Sequence, residues 1–160
     1  MIDKLLSNFP LWTSLLTIVL AQALKVPWNY FTTKKWDWSW LINSGGMPSG
    51  HTSAVSSLAT SIGLTNGWQS PSFAIAMILG IIVMYDATGV RRHAGMHAQV
   101  LNQLMDDFSK LMVELRNLKD APERTRVQLK EILGHQPIEV ATGAFLGVSI
   151  ALINYWFWFK

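Results

Sequence analysis

Residues 38–85 read WSWLINSGGMPSGHTSAVSSLATSIGLTNGWQSPSFAIAMILGIIVMY, with no Asp, Glu, Lys or Arg among them. A bilayer's hydrocarbon core takes about 20 apolar residues per helix, so this run holds two spans. Thr65-Asn66-Gly67-Trp68-Gln69-Ser70-Pro71 interrupts it with the Asn, Gly and Pro of a short turn, which places the spans at 48–64 and 72–90. Working outward, residues 5–24 and 140–159 are also free of acidic and basic side chains, and each fits one more span. The expectation is an all-α integral membrane bundle of about four transmembrane helices in one domain, residues 1–160, with a helical cytoplasmic loop over 91–136.

Composition agrees. Half of the residues are hydrophobic and only 14% are charged, which argues against disorder or a nucleic-acid-binding arm. A soluble domain this small should show polar faces on most of its helices. The absence of Cys excludes disulfides, thiolate metal sites and thiol catalysis. Leu11–Leu20 followed by Ala21-Gln22-Ala23 has the look of a cleavable leader, but Asp3 and Lys4 do not make a basic n-region, so the first span is expected to be retained.

The net charge of +3 gains meaning from its location. Lys25, Lys34 and Lys35 stand in the first loop; Arg91, Arg92, Lys110, Arg116, Lys119, Arg124, Arg126 and Lys130 stand in the third; the second loop has none. The positive-inside bias then puts the first and third loops in the cytoplasm and both termini outside. Trp28, Trp36, Trp38 and Trp40 fall near the inner interface, and Trp68, Trp156 and Trp158 near the outer one, as aromatic belts require. In the third loop, Leu101, Leu104, Phe108, Leu111, Leu115 and Leu118 alternate spacings of three and four, with Met105 and Met112 alongside, and predict an amphipathic helix ending near Asp120-Ala121-Pro122. Its apolar face suits packing on its own bundle, a homodimer through 101–118, or the inner leaflet; the mixed polar face favours the first two.

Three segments carry chemistry. Gly45-Gly46-Met47-Pro48-Ser49-Gly50-His51 leads glycines into a helix start, with Pro48 in the first turn, where unpaired amides at Ser49 and Gly50 form an anion cradle beside an imidazole. Asp86-Ala87-Thr88-Gly89-Val90-Arg91-Arg92 sets a carboxylate at a span edge, costly unless paired with Arg91 or Arg92, although adjacent arginines also serve as plain topology anchors. Gly134-His135-Gln136-Pro137-Ile138-Glu139 opens the last span. There, Glu139 either turns back to the His135 imidazole and fixes its tautomer or answers free amides of its own helix. His93 and His97 are four apart, but no third metal ligand is evident. The expected topology brings all three segments to the inner face, so a composite polar site is predicted there, with Lys25, Arg91 and Arg92 holding an anion.

Pro48-Ser49-Gly50-His51 reproduces the Pro-Ser-Gly-His motif of the type 2 phosphatidic acid phosphatase and vanadium haloperoxidase superfamily. With Asp86-Ala87-x-Gly89-Val90-Arg91-Arg92-x-Ala94-Gly95 and Leu133-Gly134-His135-x-Pro137-x-Glu139-Val140, the chain resembles the divergent branch of that superfamily, bacterial and plastid membrane proteins of similar length. The resemblance implies a multi-pass protein of a bacterial plasma membrane or a plastid membrane. It also implies a metal-independent phosphatase without cofactor, acting on a phosphorylated lipid or small phosphate ester: His135 the nucleophile, Glu139 its orienting partner, and His51 the general acid. Two departures stand out. The Ser-Arg expected six or seven residues before the nucleophile is Gln128-Leu129, and the Lys-x6-Arg-Pro motif is missing, leaving Lys25, Lys34 or Lys35 to supply its charge. Arg91-x5-His97 offers an alternative nucleophile, but Leu101 occupies its carboxylate position. The rival expectation is a catalytically silent membrane protein that binds lipid headgroups or scaffolds a partner.

Overall fold

The computed structural model describes residues 2–43, 45–116 and 135–160, with side chains for 3–43, 45–112 and 135–160. The predicted turn at Asp120-Ala121-Pro122, the cations Arg124, Arg126 and Lys130, and Gly134 lie outside the described residues. The elements are α1 (Ile2–Leu6), α2 (Phe9–Thr33), a short 3-10 helix (Trp38–Leu41), α3 (Gly50–Asn66), α4 (Pro71–Thr88), α5 (Val90–Arg116) and α6 (Pro137–Trp158). Local chemistry sets the ends. Asn8, Ser49 and Ser70 each accept an amide three residues on, at Leu11, Thr52 and Phe73, and Pro71 and Pro137 occupy first-turn positions where their missing N–H costs nothing.

Three helices are long and apolar enough to cross a membrane: α2, the helix that starts at Pro71, and α6. The expected span over 48–64 does not join them. At 17 residues α3 rises about 25 Å, short of the hydrocarbon thickness of about 30 Å. Its hydropathy is also diluted by Thr52, Ser53, Ser56, Ser57, Thr60 and Ser61, all buried. It is the central helix of the bundle, packed against α2, α4 and α6, and so meets little lipid itself.

The result inverts a water-soluble protein. The largest fully buried side chains are Lys25, Thr13, Thr17, Thr52, Ser49, Ser53, Ser57 and Ser61, whereas Val19, Ile75, Ile82 and Phe145 face outward at 59–76% exposure. Each such side chain is worth about 1.5–3 kcal/mol on removal from water, so an apolar shell this continuous belongs in lipid. The chain is a multi-pass membrane protein.

Much of the polar interior is satisfied within its own helices or by the next one, although Gln22 Oε1 and Ser61 Oγ are buried without a partner. Thr17 donates to the Thr13 carbonyl (2.7 Å) and pairs with the Ser57 hydroxyl (3.0 Å), and Ser53 donates to the Ser49 carbonyl (2.7 Å), the back-bonding that lets hydroxyls sit inside membrane helices. Gly143, Gly147 and Ala151 form the α6 stripe that lies on α3. A Cβ at Gly143 would stand 2.6 Å from the Ser49 carbonyl oxygen, and one at Gly147 would overlap the Ser53 carbonyl, so both positions require Gly. Gly143 beside Ser49 and Gly147 beside Ser53 make α3 and α6 parallel. Thr17 against Ser57, and Thr13 against Asn154 (2.6 Å), make α2 antiparallel to both.

Candidate functional site

This packing gathers the three chemical segments at one end of the bundle, and main-chain bonds join them. The Ser49 amide donates to the Glu139 carbonyl (3.1 Å), tying the start of α3 to the first turn of α6. The His135 amide donates to the Ala87 carbonyl (3.0 Å), tying the approach to α6 to the end of α4. Lys25, 2% exposed, reaches from α2 to the Asn43 carbonyl (2.9 Å) and fixes the segment that precedes the glycines.

Each candidate now has a place. The helix begins later than the sequence suggests: Ser49 is the N-cap and Pro48 lies before it, in a cis peptide bond with Met47. Ser49 is fully buried, its hydroxyl accepting from the Thr52 amide (3.4 Å) and hydroxyl (3.1 Å), so in this state it serves its own helix. Gly50 is buried against the Gln22 carboxamide. His51, in the first turn of α3, is exposed and feels the positive charges of Arg91 and Lys25. His135 is buried, at 5% exposure. Glu139 Oε2 accepts the Gln136 amide (3.0 Å), the capping arrangement, one residue past the imidazole it was expected to orient. Asp86 binds Arg91 Nε at 2.5 Å with both side chains partly exposed, which answers the cost of a carboxylate at a span edge. Arg92, His93 and His97 are exposed on α5.

Lys25 and Glu139 also share a cleft of about 260 Å³, walled by Trp28, Trp40, Asn29 and Met47. Their opposite charges act on each other across it. Neither histidine lines this cleft. The loop on its rim is shaped by Gly46, at φ +89°, where a Cβ would stand 2.7 Å from the Trp40 ring.

Sequence reasoning placed Trp40 only in the inner aromatic belt and assigned Gln22, Asn29 and the α6 glycines no place in the site. Gly143-x3-Gly147-x3-Ala151 was readable as a small-residue face of close helix packing. Gln22 and Asn29 had no readable signal, because their roles depend on which part of α2 meets the start of α3.

Residues 6–150 match the family described as the Divergent PAP2 family. The chain is also 45% identical over 155 residues to a Bacillus subtilis (strain 168) protein described as the uncharacterized membrane protein YuiD, the alignment covering 96% of this chain and 98% of the relative. No solved structure matches significantly. With the Pro-Ser-Gly-His segment, the Asp-Ala and Arg-Arg segment and the His135 segment all inside the matched region and at one end of the fold, the chain belongs to the divergent PAP2 family.

Proposed function

We propose that the chain is a membrane phosphatase that hydrolyses a lipid-linked phosphomonoester or diphosphate at the cytoplasmic face, through a phospho-histidine intermediate. The observation that carries the reading is the pair of main-chain bonds, Ser49 to Glu139 and His135 to Ala87, that draws three sequence-distant polar segments to one end of the bundle. Family membership supports it, and so does the placement of His51 in the field of Arg91 and Lys25.

In the proposed scheme Arg91, Arg92 and Lys25 hold the phosphoryl oxygens. A ring nitrogen of His135 attacks phosphorus, and the ester oxygen departs with a proton from His51. Water then attacks phosphorus while the now neutral His51 takes its proton, the phosphorus–nitrogen bond breaks with its electron pair returning to the His135 ring, and inorganic phosphate leaves. The scheme asks the substrate to displace whatever covers His135.

That burial, with Glu139 committed to the Gln136 amide, favours a second reading: a phosphate-binding membrane protein without turnover. Phosphate release from a panel of phosphorylated lipids, with and without vanadate, separates the two. The phosphatase reading expects vanadate-sensitive release and acid-labile phosphate trapped on the wild type but not on His135→Ala. His51→Ala should lose about 10²–10⁴-fold on lipid phosphates and less on activated aryl phosphates, whose leaving groups need little protonation. Vanadate binding by a wild type that turns over no phosphorylated lipid would establish the silent reading.

A further inference from the structure

The cleft between α2 and the start of α6 is built more fully than the phosphatase scheme requires. Lys25 and Asn29, four apart on α2, both line it and are only 2% and 8% exposed. The Lys25 ammonium has three N–H groups and spends one on the Asn43 carbonyl. Thr32 and Thr33 bond the Asn29 carbonyl, but the Asn29 carboxamide has no hydrogen-bond partner among the described residues. Glu139 caps its helix through Oε2, and Oε1 is left over. Lys25 and Glu139 make no ion pair with each other, so the cleft holds two opposite charges apart. The Trp40 wall is preset by its packing on Gly46.

Charge selects the ligand. A lone anion would meet the Glu139 carboxylate, and a lone cation would meet Lys25. We propose that the cleft binds an aminoalkyl phosphate of the phosphoethanolamine kind, its phosphate on Lys25 and Asn29 and its ammonium on Glu139 beside Trp28 and Trp40. The free N–H groups of Lys25 and Asn29 supply several donors to one anion, which suits the oxygens of a phosphate. The volume of about 260 Å³ falls below the roughly 300–1,000 Å³ of pockets for drug-sized ligands, and so fits a headgroup rather than a whole lipid. Trp28 and Ile138 line the cleft and are also exposed, so its mouth opens onto the apolar shell. A phospholipid headgroup and a free phosphorylated amine present the same chemistry to it.

Binding here needs no turnover, because neither histidine lines the cleft; Lys25 is the residue it shares with the phosphoryl-holding set of the proposed scheme. Calorimetry on full-length His135→Ala in maltoside micelles therefore tests the cleft whether or not the phosphatase reading holds. Phosphoethanolamine should bind at least tenfold tighter than hydroxyethyl phosphate, ethanolamine or β-alanine. Adding Glu139→Gln, which retains an acceptor for the helix cap, should abolish the preference for the amine and keep the affinity for hydroxyethyl phosphate. Asn29→Asp sets a carboxylate against the phosphate and should weaken phosphoethanolamine at least tenfold, which carries the test if the Glu139 variant does not fold. Native mass spectrometry distinguishes the sources. Retention of phosphatidylethanolamine over phosphatidylglycerol would assign the cleft to a lipid headgroup, and calorimetric binding without that retention would assign it to a free phosphorylated amine. No preference for the amine in either assay would overturn the proposal. So would a preference that survives Glu139→Gln, unchanged affinity in Asn29→Asp, or equal binding of β-alanine.

Discussion

Where α2 begins and α6 finishes, Phe9 is buried among Tyr155, Trp158 and Phe159, with ring centroids 5.5–5.8 Å away. At the opposite end, Ser49, Ala87, His135 and Glu139 close the bundle with their main chains, and Lys25, Asp86, Arg91 and both site histidines gather around them. Aromatic packing spends side chains to seal an end. Main-chain bonding leaves them over, and the second end is where the chain can afford charge and chemistry.

The largest contrast expected between the ends is all-or-none. The positive-inside bias of the basic loops predicts the charged end at the cytoplasm and the turn between α3 and α4 outside. A Cys at Gln69, exposed in that turn, should react fully with an impermeant maleimide added to intact cells. A Cys at Ser109 on α5 should react only after permeabilisation. The reverse pattern would put the site on the outer face and remove cytoplasmic substrates from the proposal.

Next in size is the seam that holds the charged end in register. Gly147→Ala drives a Cβ into the Ser53 carbonyl, and neither α3 nor α6 can yield without losing its neighbour's bonds; a loss of about 2–3 kcal/mol is expected. Gly80→Ala, on the seam between α3 and α4, meets only Val55 and Met84 at 3.8–3.9 Å and should be neutral or gain up to about 1 kcal/mol from helix propensity. Thermal unfolding in one detergent compares them. Equal effects would mean that the α3–α6 approach does not organise the site.

A smaller effect is expected from the charges. Lys25→Met keeps the apolar stem of a buried side chain but loses its cation and the bond to Asn43, and should weaken vanadate binding about tenfold, or about 1.4 kcal/mol. Arg92→Lys keeps the charge and loses the planar fork, so a weakening of only a few-fold is expected. Calorimetry reads both. Unchanged affinity in both variants would reduce Lys25 to a structural tie and Arg92 to a topology anchor.

The sequence showed the all-helical membrane class clearly, because charge-free runs and the basic loops around them are long-range composition signals. The family was legible through Pro48-Ser49-Gly50-His51, a short motif. The role of α3 was not: an uncharged run reads alike whether it faces lipid or is wrapped by three other helices, and only its Ser and Thr content hinted at the second. The site was legible as a set of segments but not as a geometry. The burial of His135 and the turn of Glu139 onto Gln136 depend on backbone placement at the start of α6, which spacing along the chain does not encode.

The smallest effect concerns the aromatic end, which the comparison treats as held by packing alone. One polar contact is present near it: Asn154 Nδ2 donates to Thr13 Oγ1 at 2.6 Å, joining α6 to α2. Hydrogen bonds between membrane helices average about 0.6 kcal/mol, because the separated helices find other partners for the same groups. Asn154→Leu fills a similar volume without the amide, and Thr13 can still bond within its own helix. Its unfolding free energy should therefore fall by about 0.5 kcal/mol, well below that of Phe9→Ala, which opens a cavity among three rings and should lose about 3 kcal/mol. If Asn154→Leu instead lost as much as Phe9→Ala, the far end would be held by a polar clasp, and the division of labour between side-chain packing and main-chain bonding would fail at the end where it looks cleanest.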